Sequence, residues 1–139
     1  MKTVYFPLCQ IRCWIAGFAG ILMLSMPAAH AATWGSQLDI YVAQAGQPAE
    51  ARRGQLFFTS TQGHEWSCAS CHGQIPTASG KHASTGKSIA PLAPAFEPTR
   101  FTDAGKTEKW FRRNCKDVLG RECTPGEKAD VLAFLGTLK

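Results

Sequence analysis

Residues 68–72 read Cys-Ala-Ser-Cys-His. Two thiols three positions apart, with a histidine directly after the second, leave the chain around them little freedom. This is the attachment spacing of a c-type haem: both sulfurs bond the vinyl groups, and the histidine reaches the iron from one face. Cys68 and Cys71 are therefore expected to hold one covalent haem c, with His72 as an axial ligand. A thioredoxin-like redox pair would sit in a βαβ pattern, and no strand pattern surrounds these residues. A zinc site would need a second ligand pair at matching spacing. Cys115 and Cys123, with seven residues between them, fit that poorly.

The first stretch supports export. Lys2 and Arg12 form a basic region without an acid, and Trp14 to Met26 is an apolar run of 13 residues, short for a bilayer span. Ala29-His30-Ala31 is a small-x-small cleavage signal. The expected division is a signal peptide over 1–31 and one monohaem domain over 32–139, in the bacterial periplasm and without a membrane anchor after cleavage. Cys9 and Cys13 precede the apolar run, so neither reads as a lipoprotein cysteine.

Removal of the leader takes the basic count from 15 to 13, leaves 10 acids and lowers the formal charge from +5 to +3. On charge alone this is no nucleic-acid binder. Cys115 and Cys123 are left over in an oxidising compartment. A disulfide is the default, with two free thiols as the alternative.

The pattern along the chain is helical with long loops. Ser36 is suited to cap a helix over Gln37 to Ala45 that ends at Gly46. Pro48 suits the first turn of a second helix reaching Thr59. Its apolar side carries Ala51, Leu56 and Phe57, and Gly54 permits close approach of another helix. Residues 73–99 read as irregular structure. Thr102 or Asp103 starts a third helix through Lys116. Thr124-Pro125-Gly126-Glu127 is a capping box with proline at the first helical position, and Val131, Leu132, Leu135 and Leu138 follow on one stripe. The expected fold is all-α and similar to class I cytochrome c, with helices packed around one covalent haem. In that fold an N-terminal helix with a glycine and an aromatic crosses a C-terminal helix. Gly54, Phe57 or Phe58, and Phe134 with Leu135 match those positions.

The second face of the iron is the open question. The methionines are Met1, Met23 and Met26, all inside the proposed leader, so the processed chain has no methionine ligand to offer. His64, His82, a lysine, an asparagine, water or an empty position remain. His64 is only four residues before Cys68 and poorly placed to reach the opposite face. His82 lies in a Gly/Ser/Thr/Lys-rich stretch and gives the bis-histidine alternative. Asn114 is the lone asparagine. Helical spacing puts it on one face with Trp110 and Phe111, with the arginines pointing elsewhere. A helix-terminal role or a buried amide bonded to backbone also fits that position.

Several segments resemble the sphaeroides haem protein family, a group of oxygen-binding monohaem cytochromes c. They are Cys68 to Gly73, Thr85 to Pro94, Arg100 to Asp103, Arg113-Asn114-Cys115 and Gly120 to Asp130. The Asn-Cys and Arg-Glu-Cys-Thr-Pro-Gly-Glu stretches are the specific ones. The resemblance implies that Asn114 is a redox-labile axial ligand and that Cys115 and Cys123 form the family's disulfide. It also implies a haem closed by asparagine when ferric and open when ferrous, diatomic ligands such as oxygen and nitric oxide, and a dihaem cytochrome c as electron partner. Thr59 to Trp66 departs from the family in length and content.

Three functions follow: redox-gated ligand binding, plain electron transfer with six-coordinate bis-histidine haem, and reduction of a small molecule such as oxygen. No distal acid–base pair is visible for the third. Lys106, Lys109, Arg112, Arg113 and Lys116 make one helix strongly basic, which reads as a solvated face or as a docking face for an acidic partner.

Overall fold

A computed structural model describes residues 33–139 together with Met1. The proposed leader, with Cys9, Cys13, Met23, Met26 and the Ala29–Ala31 cleavage site, lies outside the described residues.

Five helices and one minimal hairpin make up this region: α1 (Trp34–Ala45), α2 (Ala51–Thr59), α3 (Cys68–His72), β1 (Gly80–Lys81), β2 (Ser88–Ile89), α4 (Ala104–Leu119) and α5 (Pro125–Thr137). The architecture is all-α, with α5 packed against both α1 and α2.

Capping chemistry sets the helix bounds. Thr124 and Glu127 form the expected box, Glu127 N–H donating to Thr124 Oγ1 at 3.2 Å and Thr124 N–H to Glu127 Oε2 at 2.8 Å. Asp103 caps α4 by accepting the Lys106 N–H at 2.8 Å. Two starts differ from expectation. Thr33, not Ser36, caps α1, and Ser36 is the third helical residue of the same box. Pro48 stays outside α2, which begins at Ala51. The Glu50 carboxylate accepts the Arg52 and Arg53 N–H groups at 2.9 and 2.8 Å, while Asp130 accepts Glu50 N–H at 2.7 Å. Those bonds satisfy the first orphan donors at Glu50 and hold the chain extended before it. Helix α4 runs about one turn past Lys116, to Leu119, and ends on Gly120 at φ +68°.

The core joins Tyr41, Phe58, Ala129, Val131, Leu132, Phe134 and Leu135. Phe58, Leu132 and Leu135 are fully buried, each stabilising the fold by about 1.5–3 kcal/mol. Phe58 meets Phe134 with ring centroids 5.6 Å apart. Of the apolar side expected for α2, Leu56 is instead 61% exposed, and of the alternatives Phe57 and Phe58 it is Phe58 that takes the inward place. Gly54 sits where α2 crosses α5, and any Cβ there would strike the Asp130 carbonyl and the Val131 nitrogen. The Arg53 guanidinium closes the crossing by binding the buried Asp130 carboxylate.

Residues 73–99 are mostly irregular, with one regular feature. β1 and β2 pair antiparallel, Gly80 opposite Ile89 and Lys81 opposite Ser88.

Candidate haem site

Helix α3 is only five residues long, too short to hold itself in water. Ser67 starts it, donating its N–H to Ser70 Oγ at 3.0 Å. One turn then puts Cys68 and Cys71 on the same side, with His72 as the last helical residue. Both thiols are free and half-buried. Burial pushes the Cys68 thiol up to about 11, the opposite of the thiolate that a redox pair or zinc site uses. Burial, helped by the charge of Arg100, pushes His72 down to about 4. Its imidazole is therefore neutral at pH 7, the form that ligates metal. The Phe58 ring backs it, with centroids 6.3 Å apart.

The hairpin leans on this turn. A Cβ on Gly80 would meet the Cys71 carbonyl and His72 Cα, and Ala83 N–H donates to Cys71 Sγ at 3.3 Å. His82 serves the hairpin itself: its Nδ1 accepts the Thr85 N–H at 3.3 Å and lies 3.2 Å from Ser84 Oγ. Farther along, Leu92 and Ala93 N–H groups donate to the buried Pro76 carbonyl at 3.0 and 3.1 Å. Arg100 Nε and Nη2 donate to the carbonyls of Pro91 and Ala90 at 2.8 and 3.0 Å. Pro76 and Arg100 thus shape the loop after His72. Local periodicity carries no signal for either role. His64 lies at the C-terminal end of α4, with its ring beside Gly120.

Helix α4 presents Asn114. Its amide is exposed, one turn after Trp110, while the next residue, Cys115, is buried. Phe111 anchors this stretch inward, edge-on to Tyr41 at 5.7 Å and stacked on Phe101 at 6.4 Å. Cys115 and Cys123 are joined as a disulfide with Cα atoms 5.6 Å apart, packed with Leu119, Phe57 and Val118. Not every arginine points away from this face. The Arg113 guanidinium lies over the Trp110 ring at 5.7 Å.

These residues fit a haem. The thiols are unpaired and share one side of a turn, the imidazole beside them is neutral, and Cys68 and Phe111 pack on the same core cluster. Two large apolar side chains stand exposed in the segment after His72: Ile75 three residues past it, and Phe96 in the loop tied to Pro76. A porphyrin offers the apolar face such side chains lack.

Known proteins match this arrangement. A family described as a domain of unknown function (DUF1924) matches residues 44–135. Cytochrome c-type protein SHP of Cereibacter sphaeroides is 54% identical over 99 residues, covering 68% of this chain and 76% of that protein. The structure of oxidized SHP, described as an oxygen-binding cytochrome c, superposes with a TM-score of 0.71 at 48% identity, over 76% of this chain and 97% of that one. A solution structure of Methylophilus methylotrophus cytochrome c'', described in terms of haem-ligand detachment, gives 0.61 at 37% identity over 73% and 90%. The chain belongs to the DUF1924 family and, with the fold of a cytochrome c, is a c-type cytochrome of the sphaeroides haem protein group that carries one covalent haem c.

Proposed function

We propose that the protein binds diatomic ligands, oxygen or nitric oxide, at a redox-gated haem in the periplasm and exchanges electrons with a dihaem cytochrome c. In this reading Cys68 and Cys71 hold the haem and His72 takes one face of the iron. When bound, the haem supplies the iron that cycles between ferric and ferrous and accepts the diatomic ligand. Asn114 closes the other face. Its amide oxygen is a hard neutral donor, better matched to ferric than to ferrous iron, so reduction weakens its hold. Cys115 is fixed by its disulfide and burial, which restricts the movement of Asn114 to its side chain and local turn.

The observation that carries the reading is Asn114 itself: an exposed amide beside an exposed tryptophan, seated on a buried disulfide, in a chain with no methionine after Met26. Two descriptions support it. SHP is described as oxygen-binding, and cytochrome c'' is described through detachment of a haem ligand. Electron transfer through bis-histidine haem would need His82, and iron on its Nε2 would put the ring proton on Nδ1 and break the bond that Nδ1 accepts from the Thr85 N–H.

The test is an optical spectrum of the holoprotein in both oxidation states, with and without carbon monoxide. The expected result is a low-spin ferric haem and a high-spin ferrous haem that takes up carbon monoxide rapidly. A ferrous form that stays low-spin and ignores carbon monoxide overturns the gate.

A further inference from the structure

At about 100° per residue, Lys106, Lys109, Arg112, Arg113 and Lys116 fall within one arc of about 120° on α4. All five are exposed. The acids of α4 do little to offset them. Glu108 lies about 40° beyond Arg112, outside the arc, and is held by Lys128 and Tyr41. Asp117 makes only an exposed 4.0 Å pair with Arg113, the kind worth little. With five basic and two acidic residues, α4 carries a formal +3, while the rest of residues 33–139 has eight of each. The net charge of the described chain therefore resides in one helix. Trp110, 43% exposed, borders this arc under the Arg113 guanidinium, and Asn114 lies next around the helix. Tryptophan and arginine are the residues that most often anchor interfaces.

We propose that the basic stripe of α4 is the docking face for a redox protein with an acidic surface, anchored by Arg113 and Trp110; this rests on the electron-exchange part of the proposed function. A solvated helix needs no such segregation, since the remaining surface is balanced. A single positive face beside the ligand gate instead steers an acidic partner to that edge.

The probe is flavodoxin, a strongly acidic flavoprotein. Its hydroquinone gives one electron to the ferric haem and becomes the semiquinone, followed by stopped flow across a range of ionic strength. The comparison is wild type, Lys106→Glu/Lys109→Glu, and Arg52→Glu/Lys139→Glu as a pair with the same change in net charge away from α4. Lys106 and Arg52 lie in the first turns of α4 and α2, where acids are well tolerated, and circular dichroism and the haem spectrum check folding. The α4 pair should lose about tenfold in second-order rate at low salt and most of its salt dependence. The distant pair should lose less than about twofold. Binding of oxidised flavodoxin, which involves no electron transfer, should weaken in the same order. Equal losses for the two pairs, or none for the α4 pair, overturn the docking face. Carbon monoxide uptake by the ferrous protein separates the two ideas: its absence with steering intact sinks the gate and leaves the docking face standing.

Discussion

Tyr41 of α1 donates its hydroxyl to Glu108 Oε2 of α4 at 2.9 Å, and Lys128 of α5 reaches the other oxygen of that carboxylate at 2.6 Å. The Lys128 ammonium also lies 5.3 Å from the Tyr41 ring centre. Three helices meet in this cluster, and Phe111, one turn before Cys115, packs edge-on to the same tyrosine. The network thus fixes the first half of α4, while the disulfide fixes its second half and so the helix that carries Asn114.

Burial alone would raise the Glu108 pKa, but the Lys128 ammonium and the Tyr41 hydroxyl outweigh it and hold the carboxyl below its ordinary range. The unfolded chain therefore binds the proton first as pH falls from about 4.3. Stability from this group is complete above that value and is lost toward the lower folded pKa. Glu108→Gln leaves the buried Lys128 without a counter-charge. Because Glu108 is 44% exposed, the expected cost at pH 7 is about 1–2 kcal/mol, below that of a fully buried pair. Denaturant midpoints should show this gap at pH 7 and its narrowing as pH falls below the ordinary carboxylate range.

Gly54→Ala sets two effects against each other. Alanine adds about 1 kcal/mol of helix propensity. Its Cβ would collide with the Asp130 carbonyl, backbone that yields only if α2 and α5 part. Overpacking of this kind costs about 3 kcal/mol and dominates. The holoprotein should melt lower by on the order of 10 °C; an unchanged melting temperature would mean the crossing is looser than it stands.

Cys115→Ser/Cys123→Ser opens a loop with eight residues of separation. The chain-entropy estimate gives a loss of about 2.5 kcal/mol. Chemical denaturation with and without reductant should reproduce that loss in wild type and show no reductant effect in the variant. Unreduced peptide mapping should recover the two cysteines linked.

Asn114→Ala removes an exposed side chain, so the fold should change by less than about 0.5 kcal/mol. The ferric spectrum should shift from low spin toward high spin and respond to added azide or cyanide, while haem stays covalently bound through denaturation. A low-spin ferric spectrum indifferent to those anions would assign the sixth ligand elsewhere.

Processing is checked by mass. The protein recovered from a periplasmic extract should weigh as residues 32–139 plus one haem. Retention of Met23 and Met26 would bring methionine ligation back into consideration.

Much was legible because it is local. The Cys68–His72 pentad, the Thr124–Glu127 box and the stripe through Val131, Leu132 and Leu135 depend on spacings of one or two turns, which backbone geometry makes independent of the rest of the chain. Near misses came where two residues satisfy the same local rule. Thr33 and Ser36 both carry hydroxyls suited to a cap, and Leu56 and Phe58 are both apolar. Only the packing of α5 over Gly54 turns Leu56 outward and decides between Phe57 and Phe58.

The sequence by itself determined the haem-attachment chemistry, the helical class, the absence of methionine after Met26 and the concentration of positive charge between residues 106 and 116. Each is a property of residue identity and short spacing. The tertiary structure alone decided which carboxylates are paired: Asp130 with Arg53, 77 residues away, and Glu108 with Tyr41, 67 residues away. It also seated the short hairpin on Cys71, engaged His82 in its own turn and laid Arg113 across Trp110. Those outcomes rest on non-local contacts whose loop-closure entropy is offset only when the whole core forms together, so no window of sequence contains them.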